Sequence, residues 1–425
     1  MRKAERPDAD VVVVGAGAAG LACTADLVRA GLRVVLLEAG DAAGGRMRTD
    51  RVHGFTVDRG FQVLNTSYPQ VKHRLELRAL RLRPFTPGVL VHTGSGLRRF
   101  TDPTRRLRQS GDLLPGRLAP GRDLAALALL SARDVLTPVT RMKARPDATT
   151  LAALTGARFT PGFVETFFRP FLSGVFLEDR LDTSARFFHL VWRSLLRGTA
   201  CLPAAGIGAV PDQLASRLPP GVLRTGAPVA ALTAAGVTLA DDRGELTART
   251  VVVATGLRAA ARLLPGLDVP GARTVTTLYH AAGRSPLAEP TLVVDARRRF
   301  LNTCVLTELH PGYSGDGRAL VSTSVLGSPD PAGEAAVRAA LGEVYGTDTT
   351  DWEPVHRVTV HDALPAMPPP LRLSRTTRFA AGRYVCGDHR ATGSLQGALA
   401  SGTRAAREVL ADLRGHPPAP PRDDA

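Results

Sequence analysis

Near the N-terminus two apolar strands, Val11–Val14 and Val34–Leu37, enclose Gly15-Ala16-Gly17-Ala18-Ala19-Gly20, and no other stretch restricts the available folds as tightly. Strand, glycine turn, amphipathic helix and second strand fit within residues 11–38, close to the roughly 30 residues that a βαβ unit needs. Gly15 permits a tight turn, Gly17 lets a pyrophosphate approach the backbone, and Gly20 lets the helix pack closely on the strand. Ala18 and Ala19 open the helix, whose free amides face the phosphates. The second strand ends in Glu38, followed by Ala39, and Glu38 lies 18 residues beyond Gly20. A carboxylate there accepts hydrogen bonds from ribose hydroxyls and repels a 2′-phosphate, which disfavours NADP. A bare packing turn would need no acid at that place.

The chain has 425 residues, more than one ordinary core holds at roughly 100–200 residues per domain. From Arg81 to Leu196 the pattern changes to arginine-rich loops and then helices at Thr160–Leu172 and Thr183–Leu196, which predicts a mostly helical insertion. Phe163, Phe167, Phe168, Phe171 and Phe176 within it suit either a plain core or the wall of an apolar channel. Residues 201–256 return to strands and turns: a helix around Pro211–Leu218, strands at Val229–Leu232 and Val237–Leu239, and the apolar run Thr250–Ala254. Between Thr274 and His361, the runs Val275–His280, Leu292–Val294 and Ala319–Val325 surround one helix, Ala332–Tyr345. This predicts an antiparallel sheet with a covering helix. Pro365–Pro370 reads as a linker, Tyr384–Cys386 as a strand and Gly393–Leu413 as a long terminal helix. The fold class is therefore α/β, a Rossmann-type domain with a discontinuous second domain of antiparallel sheet plus helices.

A net charge of +15 raises the question of nucleic acid. Only Lys3, Lys72 and Lys143 are lysines among the 54 basic residues, and the arginines are spread along the whole chain. A nucleic-acid site needs clustered charge with aromatic stacking partners, so no such partner is expected. The denser stretch from Arg74 to Arg122 leaves a peripheral membrane contact open. Cys23, Cys201, Cys304 and Cys386 form no CxxC pair, so neither a metal site nor a disulfide framework is indicated. No signal peptide or run of about 18 apolar residues is apparent, and a cytoplasmic protein is the default expectation.

Downstream of Glu38 stand Gly44-Gly45-Arg46, Arg48-Thr49 and Asp58-Arg59-Gly60. Later come Pro228-Val229-Ala230-Ala231-Leu232, Val251-Val252-Val253-Ala254-Thr255-Gly256, and Tyr384-Val385-Cys386-Gly387-Asp388 followed by Gly393-Ser394-Leu395-Gln396-Gly397. With these motifs the chain resembles, nearly end to end, the FAD enzymes that include monoamine oxidases, protoporphyrinogen oxidases and phytoene desaturases. The resemblance implies FAD, with Gly44, Gly45 and Arg46 near its pyrophosphate, Val229 holding the adenine by its backbone, and Gly387 and Asp388 at the ribityl chain. Amides around Gln396 and Gly397 would face the flavin pyrimidine edge, where a helix N-terminus favours the negative charge left by reduction. The cofactor-binding domain would then comprise residues 8–80, 200–265 and 366–414, the substrate domain 81–199 and 266–365, and 1–7 and 415–425 would be flexible ends.

Neither Gly94-Ser95-Gly96 nor Gly206-Ile207-Gly208 has the spacing and flanking strand of a second dinucleotide fingerprint. Electrons are therefore expected to leave to oxygen, a quinone or another acceptor. Amine oxidases of this superfamily hold a lysine on the substrate sheet, yet no lysine follows Lys143. Ser394 stands where monoamine oxidases offer a tyrosine, and no cysteine stands at their covalent attachment position. These departures point to the desaturase-like branch, non-covalent FAD and hydride removal from an apolar small molecule. Amine or amino-acid oxidation and a non-catalytic flavin scaffold at a membrane surface are the alternatives. His389 and Tyr279 are the candidate catalytic side chains, although hydride transfer to a flavin requires no side-chain base.

Overall fold

The computed structural model describes residues 7–101, 119–240 and 243–415. The expected ends, apart from Pro7 and Gly415, and residues 102–118 of the arginine-rich stretch lie outside the described residues. The strand Ala9–Val14 is almost wholly buried because it is central: it pairs in parallel with Val34–Leu37 on one side and with Glu245–Val253 on the other. Strands buried on both faces read as continuous apolar runs, which is why VVVV, VVLL and VVV are legible in the sequence. Leu223–Arg224 and Arg383–Val385 extend the parallel part, and Val229–Leu232 and Gly236–Leu239 form an antiparallel hairpin on the early half of Glu245–Val253. The helices Ala18–Arg29 and Leu395–Leu413 pack on this sheet, and Leu21, Leu27, Leu399 and Val409 share one core with Val11, Val13 and Leu36.

A second sheet has seven strands. Ala272–Ala282, next to one edge of it, pairs antiparallel with Ala319–Leu326 and with the edge strand Glu353–Pro365, and the helix Pro331–Tyr345 covers the sheet through Val337, Leu341 and Val344. Two features differ from the sequence reading. Val89–His92 and Leu97–Phe100, within the stretch expected to hold loops and helices, are strands of this sheet. Val89–His92 also pairs in parallel with Val293–Asp295, so the sheet is mixed rather than antiparallel. Four-residue strands flanked by glycine and arginine carry too short a period to register, and tertiary pairing decides them.

The helical insertion is present as Gly121–Leu136, Val139–Lys143, Thr150–Gly156, a helical stretch through 161–176, and Ala185–Arg197. Val164–Phe168 is a wide π turn just ahead of Pro170, which has no N–H to give to the preceding turn. The phenylalanines pack on one another here. Phe167 stacks on Phe100 at 4.0 Å between centroids, Phe168 meets Phe159 at 4.8 Å, and Phe163, Phe167, Phe168 and Phe176 are buried. Four of the five fill a core, the plainer of the two readings, and Phe171 packs half-buried against it.

Candidate functional site

The opening turn is built as its glycines require. Gly15 takes a positive φ of 103° and donates its N–H to Leu37 O at 2.7 Å. A Cβ on Gly20 would stand 1.9 Å from Gly15 O, so helix and strand touch there through backbone alone. Gly17 caps the helix Ala18–Arg29 without a side-chain hydrogen bond, and a Cβ on it would meet nothing within 4 Å. The amides of Ala18, Ala19 and Gly20 have no partner within the helix, since the first N–H groups of a helix have none.

Glu38 braces this turn as well as flanking it: its carboxylate accepts from Ala16 N at 2.8 Å and from Gly40 N at 2.9 Å. Gly44 N–H donates to Ala16 O at 2.9 Å, and Gly45 comes within 3.5 Å of the Gly17 Cα measured from where its Cβ would be. The Gly-Gly segment thus lies across the opening turn, with Ala39 exposed beside it. Ala227 N–H donates to Glu38 O at 2.8 Å, which brings the strand that begins at Val229 to the same edge.

At the other end, Gly387 and Asp388 follow the strand Arg383–Val385, and Cys386 N–H donates to Val253 O at 2.9 Å. Arg46 Nη2 pairs with Asp388 Oδ2 at 2.8 Å, while its Nη1 donates to Ala363 O at 2.7 Å and Asp362 O at 3.2 Å. One guanidinium therefore ties the Gly-Gly segment, the closing turn and the last strand of the second sheet together. Gln62, absent from the candidate residues, donates through Nε2 to Arg46 O at 2.7 Å and steadies it. No motif marks Gln62; its role follows from contacts between distant segments.

The terminal helix meets the opening helix where a Cβ on Gly402 would be 2.1 Å from Ala19 O. Its N-cap is Ser394, whose Oγ accepts the Gly397 N–H at 3.0 Å. This corrects one expectation: the Gly397 amide is already taken. The Gln396 side chain points elsewhere, its Oε1 accepting from Gln70 N at 2.8 Å, so of these two residues it is the Gln396 backbone amide that is left for a ligand.

The two catalytic candidates part company. Tyr279 is 1% exposed, donates its hydroxyl to Asp58 O at 2.7 Å, and packs with Phe55, Tyr313 and Leu320. It is a strut inside a closed core. His389 is also buried, but neither ring nitrogen has a hydrogen-bond partner. Its Nδ1 stands 3.9 Å from Asp388 Oδ1, too far for one. Burial first, then the neighbouring arginines, push its pKa down to about 4 against the pull of Asp388, so the ring is neutral at ordinary pH. A neutral imidazole holds one donor and one acceptor, both unspent here.

Asp58, quoted only as part of a motif, proves to be a junction. Its Oδ1 accepts from Thr49 Oγ1 at 2.6 Å and Ile207 N at 3.0 Å, and Gly208 N–H donates to Thr49 Oγ1 at 2.8 Å. A Cβ on Gly206 would lie 2.4 Å from Thr49 Oγ1, which accounts for that Gly-Ile-Gly. A strand, Ala200–Pro203, does precede it, but pairs antiparallel in a small three-stranded sheet instead of entering a βαβ unit. Burial raises the Asp58 pKa from 3.8 to about 6. The folded state then holds this proton more tightly than the unfolded chain, so the stabilisation is complete below about pH 4 and is lost as pH rises through about 6. Urea titrations from pH 4.5 to 7.5 should show Asp58→Asn gaining on the wild type by about 2 kcal/mol across that window. Parallel stability curves would refute the burial argument.

A family model described as flavin containing amine oxidoreductase matches residues 18–410. Hydroxyneurosporene desaturase of Rhodobacter capsulatus is 49% identical over 59 residues, 14% of this chain and 12% of that enzyme. L-amino-acid oxidase of Crotalus adamanteus is 24% identical over 295 residues, 64% of this chain and 56% of its own length. The chain thus spans only part of these relatives. Among solved structures, cyclohexylamine oxidase of Brevibacterium oxydans superposes with a TM-score of 0.71 at 17% identity, covering 96% of this chain and 100% of that one. A protein of Exiguobacterium assigned as a protoporphyrinogen oxidase gives 0.69 at 19% identity, covering 95% and 98%. At such identity the likeness is one of fold.

Proposed function

The chain belongs to the flavin containing amine oxidoreductase family, and on that premise we propose that it removes hydride from an apolar small molecule, by desaturation or oxidation. The electrons pass to oxygen, a quinone or another diffusible acceptor. FAD is the cofactor, and the residues present suit it: the open face of Gly17, the uncapped amides behind it and the unpartnered nitrogens of His389 all await polar groups. In this reading Gly15, Gly17, Ala18, Ala19 and Gly20 take the pyrophosphate and Glu38 the ribose. Gly44, Gly45 and Arg46 close over them, Val229 holds the adenine, Gly387 and Asp388 the ribityl chain, and the Gln396 amide the flavin ring. Residues 8–80, 200–265 and 366–414 would form the cofactor-binding part, and 81–199 with 266–365 the substrate part. Binding is non-covalent.

When bound, FAD supplies the hydride acceptance, and the chain supplies placement, enclosure and exclusion of water. The observation that supports an apolar substrate is the group of uncharged side chains packed beside the closing turn. Phe61 N–H donates to Thr277 Oγ1 at 3.1 Å, Val360 stands 3.3 Å from where a Gly60 Cβ would be, and Gly393 lies against Leu364 and Met367. Val358 sits opposite Thr277 on the same sheet face. Phe61, Thr277, Val358, Val360, Leu364 and Met367 carry no charge of their own that would select an amine. The second reading, amine oxidation, draws on the likeness to cyclohexylamine oxidase and L-amino-acid oxidase.

Anaerobic mixing of the FAD-loaded protein with apolar alkenes, porphyrinogens and simple amines distinguishes them. Bleaching of the flavin by an alkene or porphyrinogen is expected, and bleaching by amines alone would overturn the apolar reading. Because His389 is neutral above about pH 4, His389→Phe, which has no ring donor or acceptor, should slow bleaching by roughly tenfold through the hydrogen bond the imidazole would give to the bound flavin or substrate while leaving the shape of the pH profile between 5.5 and 8 unchanged. An inflection near 6.5 that vanishes in the variant would contradict that placement.

A further inference from the structure

The helix Gly121–Leu136 has two unlike faces. Inward, Asp123, Leu130 and Asp134 are buried. Asp123 accepts from Thr160 N at 2.8 Å and Thr160 Oγ1 at 2.7 Å, and Asp134 pairs with His189 Nδ1 at 2.7 Å. Outward, Ala125, Leu129, Ala132 and Leu136 recur at four-three-four spacing, which lines them up in one stripe. Leu129 is 72% exposed and Leu136 80%, and Val139, in the short helix Val139–Lys143 that follows, is 39% exposed. A single exposed leucine needs no explanation. Here three of the seven large exposed apolar side chains among the described residues fall between positions 129 and 139, which is a patch.

Within residues 121–143 the exposed charges have one sign. Arg122, Arg133, Arg141 and Lys143 are exposed, while the only acids between residues 121 and 143 are the buried Asp123 and Asp134. We propose that this face docks the protein on an anionic lipid surface, the leucines entering the acyl boundary and the cations meeting headgroup phosphates. An apolar stripe flanked by Lys and Arg with no exposed acid is the pattern of an interfacial helix. A second copy of the chain is disfavoured by the same charges, because a two-fold contact would set the four cations against themselves. This docking is independent of the reaction proposed above and is read without turnover.

Co-sedimentation of the FAD-loaded protein with phosphatidylglycerol vesicles, with phosphatidylcholine vesicles as control, tests it. The protein should pellet with the anionic vesicles and be released by high salt. Leu129→Glu/Leu136→Glu should weaken binding more than tenfold, and Arg122→Ser/Arg141→Ser by about 25-fold at roughly fivefold per cation, with circular dichroism and flavin spectrum unchanged. Wild-type protein that stays in the supernatant, or a leucine double variant that binds as well as the wild type, overturns the proposal. So does a concentration-dependent dimer, or capture by an acidic peptide, that the same leucine variant abolishes without any vesicle binding.

Discussion

Gly20→Ala is expected to leave a chain that neither keeps FAD nor folds with its normal stability, whereas Gly17→Ala, three residues away, should fold normally and lose only the cofactor. The added carbon at position 20 would sit 1.9 Å from Gly15 O and 3.2 Å from the Ala254 Cβ, both fixed by the central parallel strands. Backbone cannot swing aside as a flexible side chain can, so the opening helix must lift from the sheet. A loss of about 3 kcal/mol is expected, at the upper end of overpacking costs. At position 17 the same carbon meets nothing within 4 Å and the φ of −73° suits alanine. Its methyl group would instead occupy the space a pyrophosphate needs, and roughly 100-fold weaker FAD binding corresponds to about 3 kcal/mol. Urea unfolding without added FAD, alongside flavin titration, separates the two effects. If Gly17→Ala bound FAD like the wild type, the opening turn would not be the phosphate site.

The second large effect concerns the bond between Arg46 and Asp388. Asp388 has a side chain only 8% exposed, and Arg46 is its cation at 2.8 Å. Removing one member of a buried pair costs about 3–5 kcal/mol because a charge is stranded. The Arg46 side chain is 35% exposed, so solvent screens part of this, and about 2 kcal/mol is expected for Arg46→Ala. Asp388→Ala frees a cation that can turn to water and should cost less. The double variant should then be more stable than the sum of the single losses predicts, by about 0.5–3 kcal/mol, the usual range for residues in contact. All three should release FAD on gel filtration. Strict additivity would mean that this ion pair does not hold the Gly-Gly segment to the closing turn.

Both experiments probe segments far apart in the chain, and their legibility from sequence differs for a physical reason. The opening βαβ unit was readable because it is local: strand, turn, helix and strand follow one another, and Gly15, Gly17, Gly20 and Glu38 are fixed by geometry within 30 or so residues. The closing strand and helix were equally plain, since Tyr384–Cys386 is apolar and the long helix starts at a serine cap. Val89–His92 and Leu97–Phe100 were missed. Their sequence carries no usable period, and only pairing with Val293–Asp295 makes the first of them part of a sheet.

The side chains of the site divide in the same way. Sequence alone determined which residues form the glycine turn between strand and helix, that an acid stands at the end of the second strand, and that no lysine follows position 143, because each of these is a property of residue type at a given spacing. Tertiary structure alone decided that Tyr279 is a core strut and His389 an unpartnered buried ring. It also decided that Glu38 braces Ala16 and that Asp58 joins two loops to Thr49. A hydrogen-bond partner 150 or 220 residues away leaves no local trace, since spacing records what a chain does along itself and not what it meets when it closes.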